Sequence, residues 1–319
     1  MRVLFLTRYG EHVVGAPSTF HGFEQAVGKI VDCKWAGTGY VDHEEGENVD
    51  ETVQRIMPDA DWVIVDKNTL LPAKQLRNYR VGVFLSDLHG KYSHGLRTPK
   101  AFLDHLNTLN YDAFFLKYME VHGTEFDPYL FKEGLNGDVY HLPWSVDCDR
   151  FQPKKKQVDV TFIGAVGKVY PLRQSMWSGV HSACKGYKVV RETSPRGRTF
   201  ERDTRTLNHR YVGDAYSDLL NDSRIVLLGS SIYRYPVQKY FEASASGALI
   251  LADSPSTAKY LEFVDGKTFF EVNVESWRDR LQHCLDNPSV VRAVSSYGLN
   301  TTVTHHSHKT RAKQFIEML

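Results

Sequence analysis

Residues whose types and spacing could do chemistry gather at a few places in this 319-residue chain. The densest is Lys239–Asp253, KYFEASASGALILAD. Lys239 and Glu242 share one face of a helix. The small residues Ala243, Ser244, Ala245 and Ser246 let that helix approach a backbone or a ligand closely. Gly247 is placed to end it, because glycine accepts the left-handed conformation beyond a helix C-terminus. Ala248–Ala252 then reads as a buried strand closed by Asp253. A charged pair, a close-packing helix and a buried strand look like half of a nucleotide site. Asp87 and His89 follow another apolar run, Val81–Leu85, where an acid/base pair or a sugar-orienting pair would sit. Two glycine loops have an anion-friendly arrangement of strand, loop and helix N-terminus. One holds Gly10 and Gly15 and the other Gly164 and Gly167, with Arg173 in the first turn of the helix that Pro171 opens.

The elements that position these residues alternate. Val3–Thr7, Trp62–Val65, Val81–Leu85, Asp112–Leu116 and Val139–Trp144 read as strands, the first as a continuous apolar run of the kind buried on both faces. Helices are expected from Ser18 or Thr19 to about Val31, before Pro58, and from Pro99 to about Asn110. This alternation predicts an α/β fold with a doubly wound parallel sheet. A linker rich in proline and charge follows, ending in Lys154-Lys155-Lys156, whose lysines read as solvated. The pattern then restarts. Strands are expected at Val158–Ile163, Gly186–Arg191, Arg224–Leu228, Ala248–Ala252 and Thr268–Phe270. Helices are expected from Pro171, over Tyr216–Asn221 and Tyr260–Phe263, over Glu275–Leu285, and through most of Val290–Leu319. The loop Gly229–Pro236, with Ser230 and Arg234, leads into Lys239.

Composition bounds the function. An apolar share of 42% and a charged share of 24% suit a globular protein with a core in each half. The net charge of +1 advertises neither nucleic acid nor membrane. Charge is uneven, however: Asp42–Asp61 holds eight acidic residues against Arg55, and Lys185–Arg210 holds eight basic against three acidic. The four cysteines are scattered without a CxxC, which points to a reducing, cytoplasmic setting and away from disulfides or zinc. The N-terminus lacks the features of a signal peptide, and no apolar run is long enough to span a membrane. His305, His306 and His308 could attract a metal, but they have no carboxylate partner nearby in sequence and read as structural or solvated.

Several segments together resemble the GT-B glycosyltransferases, specifically the CgeB-like (spore maturation protein-like) branch of the family-4-type enzymes. They are Leu142-Pro143-Trp144-Ser145-Val146-Asp147 with Phe151 and Pro153, Asp159–Gly164 with Tyr170 and Arg173, Tyr216–Ile225, Lys239–Asp253, and His306–Arg311. The resemblance covers about residues 140–319; the first half matches in fold pattern. It implies two Rossmann-like domains facing an interdomain cleft. Residues 1–150 would form the acceptor domain and 151–300 the nucleotide-sugar donor domain, with a C-terminal helix, 301–319, packing back on the first. The implied donor is a nucleotide sugar, a UDP-sugar foremost, with no cofactor or metal required. Glu242 falls where the family's glutamate binds ribose hydroxyls, and Lys239 where a basic residue neutralises diphosphate. Family-4-type enzymes place another glutamate eight residues before the ribose glutamate. Arg234 stands there, which suggests a phosphate contact instead. Gly15, Gly164, Arg173, Ser230, Arg234, Lys239 and Glu242 thus form the expected donor set. Asp87, His89 or His21 would orient or deprotonate a hydroxyl acceptor. Lys239, Arg234 and Arg173 would steady the departing diphosphate, whose charge grows as the anomeric bond breaks.

Two alternatives share the fold. Arg191, Arg196, Arg198, Arg202, Arg205 and Arg210 could track a phosphate backbone, as in phage enzymes that glycosylate a modified base in DNA. A nucleotide-sugar binding protein without catalysis is the other.

Overall fold

The computed structural model describes residues 1–7, 16–42, 44, 46–66, 70–86, 99–118, 133–193, 211 and 213–319. The chain divides into two compact units. Unit 1 comprises residues 1–12, 17–143 and 311–319, and unit 2 comprises 13–16 and 144–310. The division falls before Trp144, earlier than the proline-rich linker suggests. Val146 is the reason: its N–H donates to the His306 carbonyl, and its carbonyl accepts from His308 N–H, which ties the linker to unit 2.

Unit 1 is built on a six-stranded parallel sheet, β1 (Arg2–Leu6), β2 (Asp32–Ala36), β3 (Trp62–Asp66), β4 (Arg80–Leu85), β5 (Ala113–Leu116) and β6 (Asp138–His141), in the order β2-β1-β3-β4-β5-β6. Helices α1 (Ala16–Gly28), α2 (Val49–Ile56) and α3 (Pro99–Asn107) accompany it. Asn48 caps α2 in a reciprocal box with Glu51, which places two of the acidic residues at the favourable end of the helix dipole. The core is aromatic. Phe5, Phe23, Phe84 and Phe115 surround Phe315, with the Phe115 and Phe315 rings 5.0 Å apart. Phe315 comes from the last helix, whose final turn is fixed by the Trp62 indole donating to the Leu319 carbonyl at 3.0 Å.

Unit 2 holds a five-stranded parallel sheet, β7 (Val158–Ile163), β8 (Val189–Glu192), β9 (Ser223–Leu227), β10 (Leu249–Ala252) and β11 (Phe270–Glu271), in the order β11-β10-β9-β7-β8. Its helices are α4 (Pro171–Ala183), α5 (Asp214–Asn221), α6 (Lys239–Ala245), α7 (Trp277–Asp286) and α8 (Pro288–His306). The last helix, α9 (His308–Met318), begins here and ends in unit 1. Trp277 is fully buried among Met176, Leu172, Leu227 and Leu251, and its indole donates to Ser175 Oγ at 3.0 Å. Gly247 has the positive φ of 66° that ending α6 requires.

The order of each sheet reverses once, between β1 and β3 and between β7 and β9. Ligands of open α/β sheets bind outside the carboxyl ends of the strands at such a reversal. Two local expectations are corrected. Tyr260–Phe263 is a run of turns, with Glu262 at φ 58°, rather than a helix. The expected final helix is two helices separated at Ser307, whose ψ of 154° breaks the coil.

Candidate functional site

The reversal between β7 and β9 gathers the charged residues of unit 2. The loop after β7 starts at Gly164, where an added Cβ would lie 3.7 Å from Arg173 Nη1 and 4.0 Å from Lys239 Cε. Arg173 and Lys239 therefore meet beneath one glycine, each in the first turn of its helix. Arg173 is buried. Its Nε donates to the Gly229 carbonyl after β9 at 2.6 Å, and its guanidinium lies 4.1 Å above the Tyr170 ring. Burial lowers the pKa of both cations, and for Lys239 the nearby Arg173 adds to the effect. Two such cations side by side favour an anion between them.

Glu242 lies one turn along α6. The Tyr216 hydroxyl, from α5, donates to its Oε2 at 2.6 Å, and Gln238 Nε2 donates to its Oε1 at 2.7 Å. Lys239 Nζ is 3.2 Å from the same Tyr216 oxygen and 4.6 Å from the centre of its ring. Burial raises the Glu242 pKa, while Lys239, Tyr216 and Arg150 pull it down. Each carboxylate oxygen has a second lone pair, so the group can accept from further hydroxyls without releasing its partners.

The loop Gly229–Ser231 is fixed by Asp253 at the end of β10. Its Oδ1 accepts from Ser230 N–H and its Oδ2 from Ser230 Oγ, each at 2.6 Å, while Tyr240 OH donates to its carbonyl at 2.6 Å. The Ser230 hydroxyl is thus used in shaping the loop. Arg234 adopts a positive φ of 55°, and its Nε and Nη2 point at the Ser254 carbonyl at 3.2 and 2.8 Å.

Of the expected donor residues, Gly164, Arg173, Lys239 and Glu242 come together, and Ser230 joins them through the Gly229 turn. Arg234 is held on the neighbouring Ser254 turn. Gly15, Asp87 and His89 lie outside the described residues, as do the arginines from Arg196 to Arg210. His21 lies on α1 in unit 1, three residues before Glu24. Tyr216, Gln238 and Asp253 had no assigned role in the sequence reading. The spacing of Gln238 and Glu242 at i, i+4 is a signal for the first contact, but nothing in sequence brings α5 to α6.

Unit 1 holds a further buried group at the carboxyl edge of its sheet. Glu24 is 1% exposed and accepts from Thr7 Oγ1 at 3.1 Å. Burial raises its pKa to about 8. Lys117, just beyond β5, is 2% exposed, and its Nζ lies 5.3 Å from the centres of the Phe23 and Phe84 rings. Burial, with Arg311 near, lowers its pKa to about 7.

Of the C-terminal histidines, His305 is exposed, 3.6 Å from Glu262, while His306 and His308 are buried. His306 Nε2 meets the Leu261 carbonyl at 3.0 Å, and His308 Nδ1 meets Ser145 Oγ at 2.8 Å. Asp147 caps a turn by accepting from Asp149 N–H and Arg150 N–H. Among the described residues no group of three or more His, Cys, Asp or Glu could hold a metal ion, and no helix is long and apolar enough to cross a membrane.

Comparison with known proteins agrees with this architecture. Residues 172–317 match the family model described as glycosyl transferase-like. No curated protein matches the chain. Among solved structures, HepE of Anabaena in complex with UDP-glucose is 11% identical, with a TM-score of 0.69 over 100% of this chain and 99% of that one. Sucrose-phosphate synthase of Thermosynechococcus elongatus is 10% identical, with a TM-score of 0.65 over 99% and 98%. AviGT4, a glycosyltransferase involved in avilamycin A biosynthesis, is 13% identical, with a TM-score of 0.62 over 99% and 96%. Two parallel sheets, each flanked by helices and each reversing its strand order once, give this chain the fold of the GT-B glycosyltransferases.

Proposed function

We propose that the chain is a glycosyltransferase that moves a sugar, a hexose foremost, from a nucleoside-diphosphate donor to a hydroxyl acceptor. The observation that carries this reading is the buried Glu242, oriented by Tyr216 and Gln238, beside Lys239 and Arg173. The carboxylate suits the ribose diol, and the two cations suit the diphosphate. HepE is seen with UDP-glucose and with UDP, which supports a UDP-sugar as the donor. Unit 2 is the donor-binding unit in this reading and unit 1 the acceptor-binding unit.

Arg173 and Lys239 take up the negative charge that grows on the leaving diphosphate, and Gly164 lets the phosphates approach them. Their fixed positions mean that little reorganisation is needed during the reaction. This side-chain stabilisation supplies what a divalent ion would otherwise supply. Arg234 contributes to the same field from the adjoining loop. On the acceptor side, Asp87, His89 and His21 are the groups assigned to orient or deprotonate the hydroxyl.

The direct experiment is calorimetric titration with UDP-glucose, UDP, GDP, ADP and TDP, followed by assay of donor turnover on acceptor panels. Binding of UDP that Glu242→Ala weakens at least ten-fold is the expected result. Failure of every nucleotide to bind would reject the reading.

A further inference from the structure

Unit 2 has a cavity of about 430 Å³ at the amino edge of its sheet, the edge opposite Glu242. The six residues of β7 separate the two edges by roughly 17 Å at the usual strand rise. Lys155 and Lys156 enter the cavity from the segment before β7, Arg224 from β9, and Arg292 from α8. Four cations therefore face one carboxylate, Asp159. That carboxylate is already engaged, with Oδ1 3.6 Å from Arg224 Nε and Oδ2 accepting from Lys188 N–H at 2.9 Å. Among the described residues, Lys155, Lys156 and Arg292 have no carboxylate in ion-pair contact.

Lys156 differs from an ordinary surface lysine. It is half-buried, and its Nζ donates to the carbonyls of Asn221 at 2.9 Å and Ser246 at 2.6 Å. An ammonium has three N–H groups, so one remains for a ligand. Burial pushes its pKa down to about 8, and an incoming anion would offset that cost. Apart from Ser295, the rest of the lining is largely apolar: Ile225 and Val291 form part of the wall, and the Tyr187 ring stands half-exposed at the margin. The volume falls within the ~300–1,000 Å³ typical of small-molecule sites and exceeds what a lone phosphate fills.

We propose that this cavity is a second ligand site that takes a small phosphorylated molecule. Lys155, Lys156, Arg224 and Arg292 receive the phosphoryl group, and Ile225, Val291 and Tyr187 receive the body. The site is independent of the donor reading. It touches the same helix, however, because Ser246 and Gly247 close the C-terminus of α6, whose first turn carries Lys239.

The test is calorimetric titration of the full chain with pyrophosphate and with AMP. It compares wild type, Lys155→Glu/Arg292→Glu, and Lys239→Met at the opposite edge. The expected result is affinity at least ten-fold weaker in the double variant and retained in Lys239→Met. Equal affinity in wild type and double variant overturns the proposal, as does loss in Lys239→Met alone or no binding to wild type. The milder Lys155→Gln/Arg292→Gln guards against misfolding. With an unchanged melting temperature it should bind at least three-fold more weakly, and wild-type affinity in that variant also overturns the proposal.

Discussion

The Tyr216 phenol donates to Glu242 Oε2 at 2.6 Å while its oxygen lies 3.2 Å from Lys239 Nζ. One hydroxyl from α5 thus links the carboxylate and the ammonium of α6, and fixes both side chains from outside their own helix. Tyr216 is itself packed edge-on against Phe151, 6.0 Å away. Removing the hydroxyl leaves that packing in place. Tyr216→Phe should therefore fold normally and bind UDP about five-fold more weakly, near the ~1 kcal/mol of one hydrogen bond. Isothermal titration decides this, and wild-type affinity would show that the phenol does not organise the site.

Lys239 should be read by the ligand series rather than by one affinity. Its charge sits beside Arg173 under Gly164, and in the proposed reading it acts on the phosphates and not on the nucleoside. Lys239→Met should weaken UDP by about ten-fold or more, UMP less, and uridine hardly at all, on the scale of ~1.5–3 kcal/mol for a charged hydrogen bond. Equal losses across UDP, UMP and uridine would indicate a general distortion of α6.

The legible parts of the sequence were those with a continuous apolar run or a strong punctuator. Val3–Leu6 and Val81–Leu85 are buried on both faces, so their strands stand out. Gly247 marked the end of α6. β2 was missed because Asp32-Cys33-Lys34-Trp35-Ala36 is an edge strand of alternating exposure, with no apolar run. The lysine run before β7 looked uniformly solvated. Lys154 does pair with Asp218 at the surface, but Lys156 turns inward to two carbonyls. Within the site, Lys239 and Glu242 were visible because one helix carries both. Tyr216 and Asp253 act across elements, and Thr7 and Glu24 meet only once α1 packs on β1. Such contacts depend on tertiary packing and leave no period in the sequence.

Glu24 gives a prediction for stability against pH. Burial is the main cause of its raised pKa. Asp66 at the end of β3 adds to the rise, and Thr7 and Lys117 oppose it. The unfolded chain releases this proton near 4.5, and the folded chain holds it to about 8. The folded state therefore binds more protons between those values, and this group's contribution to stability falls as pH rises through them. Lys117 works in the opposite sense. It is lowered from 10.5 to about 7, so its contribution to stability rises with pH above 7. Below 7 the Glu24 effect stands alone between these two. Glu24→Gln should gain on wild type by about 1 kcal/mol per pH unit from pH 5 to 7, measured by urea unfolding. A difference that does not change with pH would mean that Glu24 is ionised in the fold.

Gly298 sets how closely α8 approaches α6. A Cβ there would meet the Thr268 carbonyl oxygen at 2.6 Å and Ser244 Oγ at 2.9 Å. The first contact is with backbone, which cannot rotate away, so α8 must shift away from the Thr268 turn, and the Ser244 contact passes part of that strain to α6. In an exposed helix interior, glycine to alanine stabilises by about 1 kcal/mol. Here the sign should reverse, with Gly298→Ala destabilising by ~1–3 kcal/mol as overpacked cores do. Ser296→Ala, exposed on the same helix, is the control and should be neutral or slightly stabilising. Because Ser244 lies two residues beyond Glu242, the displacement should also reach Glu242 and the proposed UDP site. UDP affinity should then fall in Gly298→Ala and stay constant in Ser296→Ala. A stabilised Gly298→Ala would show that Thr268 and α8 move apart without cost. A destabilised variant with intact UDP binding would show that α6 is held by Tyr216 and Asp253 rather than by α8.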